Sequence, residues 1–212
     1  MAASRSGIWG WIRALFCLLL FFPVPGVGSQ EAAKQWLVDQ IHADGSLDSP
    51  ASKAITFQST TEATISLLDA DPGLLGALNG VVNYMAIVDA DRSTENLSRS
   101  IRTAYVLEQE FAQAQDQLLQ RQRVGSGFGA FPGYDPDPLS TAYALETLAL
   151  LGITQEPAAY ALQYLINAQN NDGSWALVDD VGQVQTTALA MHALWHYRHV
   201  YDVESSLQAA ED

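Results

Sequence analysis

The sequence predicts an all-α protein: about four helical-hairpin repeats arrayed side by side behind an export leader. Three observations carry that expectation. A threonine-marked segment recurs four times at near-constant spacing, at Thr61, Thr103, Thr141 and Thr187, with intervals of 42, 38 and 46 residues. Apolar residues between the marks fall at helical intervals, and no stretch alternates with the period of two that a strand requires. The first 29 residues have the make-up of a secretory signal.

In residues 1–29, a basic region (Arg5, Arg13) precedes an apolar run from Ala14 to Phe22, and Pro23 and Pro25 follow it. Nine uninterrupted apolar residues are well short of the roughly 20 that span a bilayer. Val27-Gly28-Ser29 puts small or modest side chains at the −3 and −1 positions, so cleavage is expected before Gln30. Ala14-Leu15-Phe16 lacks the small residues that a lipoprotein site wants before Cys17. A signal peptide over 1–29 and a repeat domain over 30–212 follow, with secreted or periplasmic localisation. No later segment is long and apolar enough to span a bilayer.

Each repeat reads as an outer helix, a turn and an inner helix. Outer helices are expected near 31–42, 74–88, 112–123 and 157–169, and inner helices near 59–69, 98–110, 138–150 and 184–197. Between Ala158 and Gln169 the apolar residues Ala161, Leu162, Leu165 and Ile166 share one helical face. Asn171-Asp172-Gly173-Ser174 stops that helix, the glycine supplying a left-handed residue. Pro72, Pro138 and Pro157 sit where a first helical turn tolerates a missing amide. From Ser98 to Arg123 there is neither Gly nor Pro, so the second inner helix is expected to run into the third outer one.

Charge and cysteine content remove several functions. Ten Lys and Arg stand against 24 Asp and Glu, and loss of Arg5 and Arg13 with the leader leaves eight against 24, a net charge of −16. Such a surface repels phosphate backbones and anionic lipid, which argues against nucleic-acid partners and stable membrane docking. The single cysteine, Cys17, lies in the leader. Disulfides, cysteine-ligated zinc, iron–sulfur clusters and a cysteine nucleophile are thereby excluded from the exported chain.

Tyr164-Leu165, then Gln169, then Asp172-Gly173-Ser174-Trp175, resembles the QW repeat of squalene–hopene cyclases and related terpene cyclases. Trp36-Leu37 followed by Asp44-Gly45-Ser46-Leu47 is a second copy, with Leu in place of the second aromatic. The same hairpin unit builds protein prenyltransferase β subunits, the thioester domain of complement-like proteins and the cobalamin-binding transcobalamin family. The resemblance implies an α/α toroid, here a partial or open barrel, and it makes Trp36, Gly45, Tyr164, Gln169, Gly173 and Trp175 structural residues of the repeat.

The catalytic signatures of those families are missing. No protonating Asp-x-Asp-Asp is present, the prenyltransferase zinc ligands lack their Cys, and no Cys-Gly-Glu-Gln thioester motif occurs. Neither a cofactor nor a metal is therefore expected.

The remaining candidates lie on the turns and the last inner helix. His192, His196 and His199 at i, i+4 and i+7 have a metal-like spacing, but with Trp195, Tyr197 and Tyr201 beside them they read as packing or surface histidines. His42 sits alone at a helix end. The pairs Asp135/Asp137 and Asp179/Asp180 precede inner helices; they are either an acid–base pair on the rim or helix-start and turn acids. The glycine-rich segment 125–134, with Phe128, Phe131 and Tyr134, is either a cover for a cavity or an enlarged turn of the repeat. Asn96-Leu97-Ser98 spells a glycosylation sequon, relevant in a eukaryotic source.

These readings predict an exported, non-catalytic repeat protein that binds a small molecule or protein partner on its concave face. Contacts are expected from Phe128, Phe131, Tyr134, Asp135, Asp137, Thr141, Asp179, Asp180 and Thr187, with Thr61 and Thr103 completing a neutral wall. The acids would favour neutral or cationic ligands. The alternative is a diverged terpene-cyclase-like or carbohydrate-active enzyme using Asp135 or Asp179. Complete toroids of these families use more hairpins than four, so a homo-oligomer or a longer assembly is a further expectation.

Overall fold

A computed structural model describes residues 27–48, 55–88, 92–177 and 181–211, with side chains from Gln30 onward. The leader before Val27, the segment Asp89–Asp91, and the candidates Asp179 and Asp180 lie outside the described residues. Among the described residues the elements are all helical, with four isolated bridges and no strand.

The chain divides into two compact units, Met1–Asp39 and Gln40–Asp212. In the first, helix α1 covers Val27–Val38, with Lys34 paired to Glu31 at 2.9 Å. Its Trp36 is 54% exposed.

In the second unit, α2 (Thr56–Ala70) is followed by a 3-10 turn (Pro72–Gly76), α3 (Asn79–Ile87), α4 (Thr94–Val106) and α5 (Ala112–Leu119). Then come α6 (Pro138–Leu150), α7 (Ala158–Asn167), α8 (Val184–Tyr197) and α9 (Glu204–Glu211). The inner helices α2, α4, α6 and α8 form one row, each packed on the next. Outer helices flank that row: α5 lies on α4, α7 on α6, and α9 on α8. Of the expected inner spans, 138–150 and 184–197 match α6 and α8 at both ends, 59–69 falls within α2, and 98–110 is displaced four residues beyond α4 towards the C-terminus at each end.

Local chemistry sets the starts. Asp137 caps α6 by accepting from the Ser140 N–H at 2.7 Å, with Pro138 behind it. Ser93 does the same for α4, accepting from the Asn96 N–H. Burial decides which helix is central. On α6 every residue from Ser140 to Leu148 is buried, because α4 and α8 cover its two sides and α7 its back. Leu145, Leu148, Leu162, Leu165, Ala190 and Leu194 are fully or almost fully enclosed there.

The expected fusion of α4 with α5 does not occur. The chain leaves α4 at Val106 and starts α5 at Ala112. Glu108 takes a left-handed conformation (φ 56°), while the Gln109 N–H bonds to the Ala104 carbonyl and the Glu108 N–H to the Tyr105 carbonyl. That pair of bonds is a Schellman stop, and α6 ends in the same way, with Gly152 (φ 72°) in the left-handed place. A glutamate there hides the stop from a search for glycine. Left-handed backbone costs a non-glycine residue roughly 1–2 kcal/mol, and glycine gives back roughly 0.5–1 kcal/mol in entropy. Glu108→Gly is therefore expected to raise stability by about 0.5–1 kcal/mol, read by urea unfolding. A loss on substitution would contradict the strain at this residue.

Candidate functional site

Three turns share one hydrogen-bond pattern. His42, Arg123 and Asn170 each donate a backbone N–H to the carbonyl four residues on (Ser46, Gly127, Ser174) at 2.9–3.0 Å. The residue that follows, Leu47, Phe128 or Trp175, is at most 2% exposed. Its backbone is clasped by a threonine of the next inner helix. The N–H of each donates to Thr60, Thr141 or Thr187 Oγ1 at 2.9, 3.0 and 3.0 Å, and the same hydroxyl donates back to that residue's carbonyl.

Glutamine completes the pattern in two of the turns. Gln122 Nε2 donates to the Ser126 and Pro157 carbonyls, and Gln169 Nε2 to those of Gly173 and Ser206, so each turn is tied to the next outer helix. Trp175 Nε1 donates to the Leu165 carbonyl at 2.7 Å, which makes it a cap on its hairpin. Tyr164 lies against Gly127 and donates to the Pro136 carbonyl at 2.8 Å; burial pushes its phenol up to about 12. Gly45, Gln169, Gly173 and Trp175 thus sit in the turns, and Tyr164 packs against one of them from within α7.

This pattern relocates most of the expected contact residues. Thr141 is fully buried, and its hydroxyl, like that of Thr187, is spent on a turn rather than facing a cavity. In the first repeat the clasp is Thr60, and Thr61 instead donates to the Gln58 carbonyl within its own helix. Thr103 is also fully enclosed. Phe128 is an interior side chain at 0% exposure, so the segment 125–134 is an enlarged turn at that point. Its Ala130 carbonyl accepts from the Thr94 N–H and from Arg121. Phe131 and Tyr134 stay on the surface in an edge-to-face pair 5.5 Å apart. Asp137 is spent as a helix cap, and Asp135 pairs with Arg123 at the exposed rim. Those two carboxylates do not form an acid–base pair. Removing the clasp hydroxyl with Thr141→Val leaves the Phe128 N–H unpaired and is expected to cost about 1–3 kcal/mol in unfolding free energy. An unchanged urea midpoint would contradict it.

The convergence of chemistry lies elsewhere, where α2, α4, α6 and α8 each bring polar side chains to one concavity. The shared stops of α4 and α6 align Arg99 with Tyr143 and Arg102 with Glu146, and the threonine clasps align Glu62 with Tyr143 and His192 with Glu146. Two ladders of polar groups result. In the first, Arg99 is nearly enclosed and bonds to Glu62, to Glu95 at 3.0 Å and to the Tyr143 hydroxyl at 3.0 Å. Burial opposes its charge, but the Tyr143 phenol and the Glu62 and Glu95 carboxylates outweigh burial and hold it above its ordinary value.

In the second ladder, Glu146 is 5% exposed and bridges two helices: Oε2 accepts from Arg102 at 3.0 Å, and Oε1 meets His192 Nδ1 at 2.7 Å. The His196 ring stands edge-on to His192 at 4.6 Å, and burial, with His192 next in weight, pushes its imidazole down. His199 falls beyond the end of α8. Among the described residues no group of three metal-ligating side chains converges. Nor is any described helix long and apolar enough to cross a membrane.

Around the second ladder, with Glu62 of the first at its edge, lies a concavity of about 1250 Å³. Glu62, Asp69, Arg102, Glu108, Glu146 and His192 supply its polar wall. Ile65, Leu68, Val106 and Leu150 supply apolar surface. Sequence reading noted His192 as a packing or surface histidine and missed the rest, although one signal was present. Glu146 is the only charged residue in the run Pro138–Leu150, where a solvated face would show several. Compared with known proteins, the chain matches no family model and no curated protein sequence.

Proposed function

We propose that the chain is an exported α/α-toroid repeat protein of about four hairpins that binds a ligand on the concave face of its inner helices. The carrying observation is the concavity of about 1250 Å³, with its apolar patch and its excess of acids. Three turns built to one hydrogen-bond plan, and an inner row in which each helix packs on the next, support the toroid reading. The composition of residues 1–29 supports export. Four acids against Arg102 and two histidines favour an occupant that is neutral or cationic and has an apolar body. A concave surface with an apolar patch and a few polar groups suits a small molecule, and its size of about 1250 Å³ leaves room for one.

Thermal shift against hydrophobic, glycan and cationic compounds tests this. A binder is expected to raise the melting temperature of the wild type more than that of Leu150→Trp, whose indole intrudes on the apolar wall of the concavity, while Phe131→Ala/Tyr134→Ala binds normally. Equal binding by Leu150→Trp would move the site off the inner face. For export, secreted material is expected to begin at Gln30; a start at Met1 or Ala2 would overturn cleavage.

A further inference from the structure

The concavity holds an imidazole, His192, that is both accessible and fixed in orientation. Its Glu146–His192 contact joins α6 to α8 at 2.7 Å, and Arg102 of α4 holds the other carboxylate oxygen at 3.0 Å. Glu146 is anchored on both oxygens and almost fully enclosed, so it is a rigid partner. An ionised carboxylate can only accept, so the proton of neutral His192 sits on Nδ1 and its Nε2 is bare. Nε2 lies across the ring from Glu146, on a side chain 56% exposed in the wall of the concavity, and has no hydrogen bond among the described residues. Other charged groups face the same space: Glu62 and Asp69 from α2, Arg102 and Glu108 from α4, and His196 from α8. Glu62 is engaged by Arg99.

We propose that His192 is the proton acceptor of this concavity, and that Glu146 and Arg102 are positioning residues that keep Nε2 bare and aimed at the occupant. Its partner is a hydroxyl or ammonium group at the polar end of a ligand whose body meets the apolar wall. This rests on the reading of the concavity as a ligand site. The same arrangement, a carboxylate orienting an imidazole with its far nitrogen open, is the one that makes histidine an effective base or nucleophile. A small activated ester reports it directly. With 4-nitrophenyl acetate, the Nε2 lone pair attacks the acetyl carbon, the carbon–oxygen bond breaks and 4-nitrophenolate leaves. Water then hydrolyses the cationic Nε2-acetyl-imidazole, giving acetate and two protons and restoring neutral His192.

Two measurements on the full chain decide it. In long-range proton–nitrogen spectra of the wild type at about pH 8, where imidazole is ordinarily neutral, His192 is expected as the Nδ1–H tautomer with an unprotonated Nε2. The Nε2–H tautomer would overturn the proposal, and no variant has to fold for that result. In 4-nitrophenyl acetate hydrolysis, His192→Ala is expected to lose about fivefold or more and His199→Ala to stay within about twofold of wild type. Glu146→Gln is expected to slow the reaction and move His192 towards the Nε2–H tautomer together. Wild-type esterolysis by His192→Ala would sink the base. Failure of the ligand screen with both signatures intact would count against the ligand-site reading alone.

Discussion

Replacing Trp175 with alanine is expected to lower the unfolding free energy by roughly 3–5 kcal/mol, the range for deleting a large enclosed aromatic. The indole is wholly buried, and four hydrogen bonds fix it or its backbone, one of them the Thr187 hydroxyl donating to its carbonyl. Its Nε1 donates to Leu165 at the end of α7, its N–H to Thr187 at the start of α8, and its carbonyl accepts from the Gln183 N–H. The ring therefore joins the outer and inner helices of one hairpin through the core. Alanine leaves a void in the buried core cluster to which Trp175 belongs, which close-packed neighbours fill only in part. Trp175→Phe separates the contributions, since it keeps most of the apolar area and removes the Nε1–H; its expected cost is about 1–2 kcal/mol. Small domains have only about 5–15 kcal/mol in total, so the alanine variant is to be compared by urea midpoint at low temperature with matched slopes. A loss below about 1 kcal/mol would place the indole on the surface and return it to the contact residues.

The sequence carried the helices well, and it did so through punctuation. Prolines at 72 and 138, turn glycines at 45 and 173, and apolar spacing in 158–167 each act locally, so their effects are readable without tertiary knowledge. The α4 stop was missed because its left-handed residue is Glu108, whose strain only the surrounding fold makes tolerable. The threonine marks were found, but their direction was not. One position along a helix is a rotation of about 100°, which separates a clasp at Thr60 from a helix-bonded hydroxyl at Thr61. The concave ladders were hardest to see. Glu146, Arg102 and His192 come from three helices and meet only through the packing register of the inner row. Acids on turns attracted notice because they are close in sequence, yet Asp137 serves its own helix. Contact across elements, not spacing within one, defines this site.

Gly173→Ala is the second substitution with a large expected effect, and Gly152→Ala is its control. Both glycines are left-handed, with φ of 81° and 72°. A Cβ on Gly152 meets nothing within 4 Å, whereas one on Gly173 falls 1.7 Å from the Ala209 carbonyl oxygen and 2.4 Å from its carbon. Alanine at 152 therefore pays backbone strain alone, about 1–2 kcal/mol. At 173 the same strain is joined by displacement of α9, a backbone that cannot rotate away, for about 1–3 kcal/mol more on the scale of overpacked cores. That displacement also pulls the Ser206 carbonyl from Gln169 and unseats Leu207. A Cβ on Gly45 would fall 1.9 Å from the Gly80 carbonyl oxygen in the same manner, so turn-against-next-helix seating occurs at both places. Hydrogen exchange localises the effect: α9 amides are expected to lose protection in Gly173→Ala and keep it in Gly152→Ala. Equal costs for the two variants, with α9 protected in both, would mean that the Gly173 turn does not bear on α9.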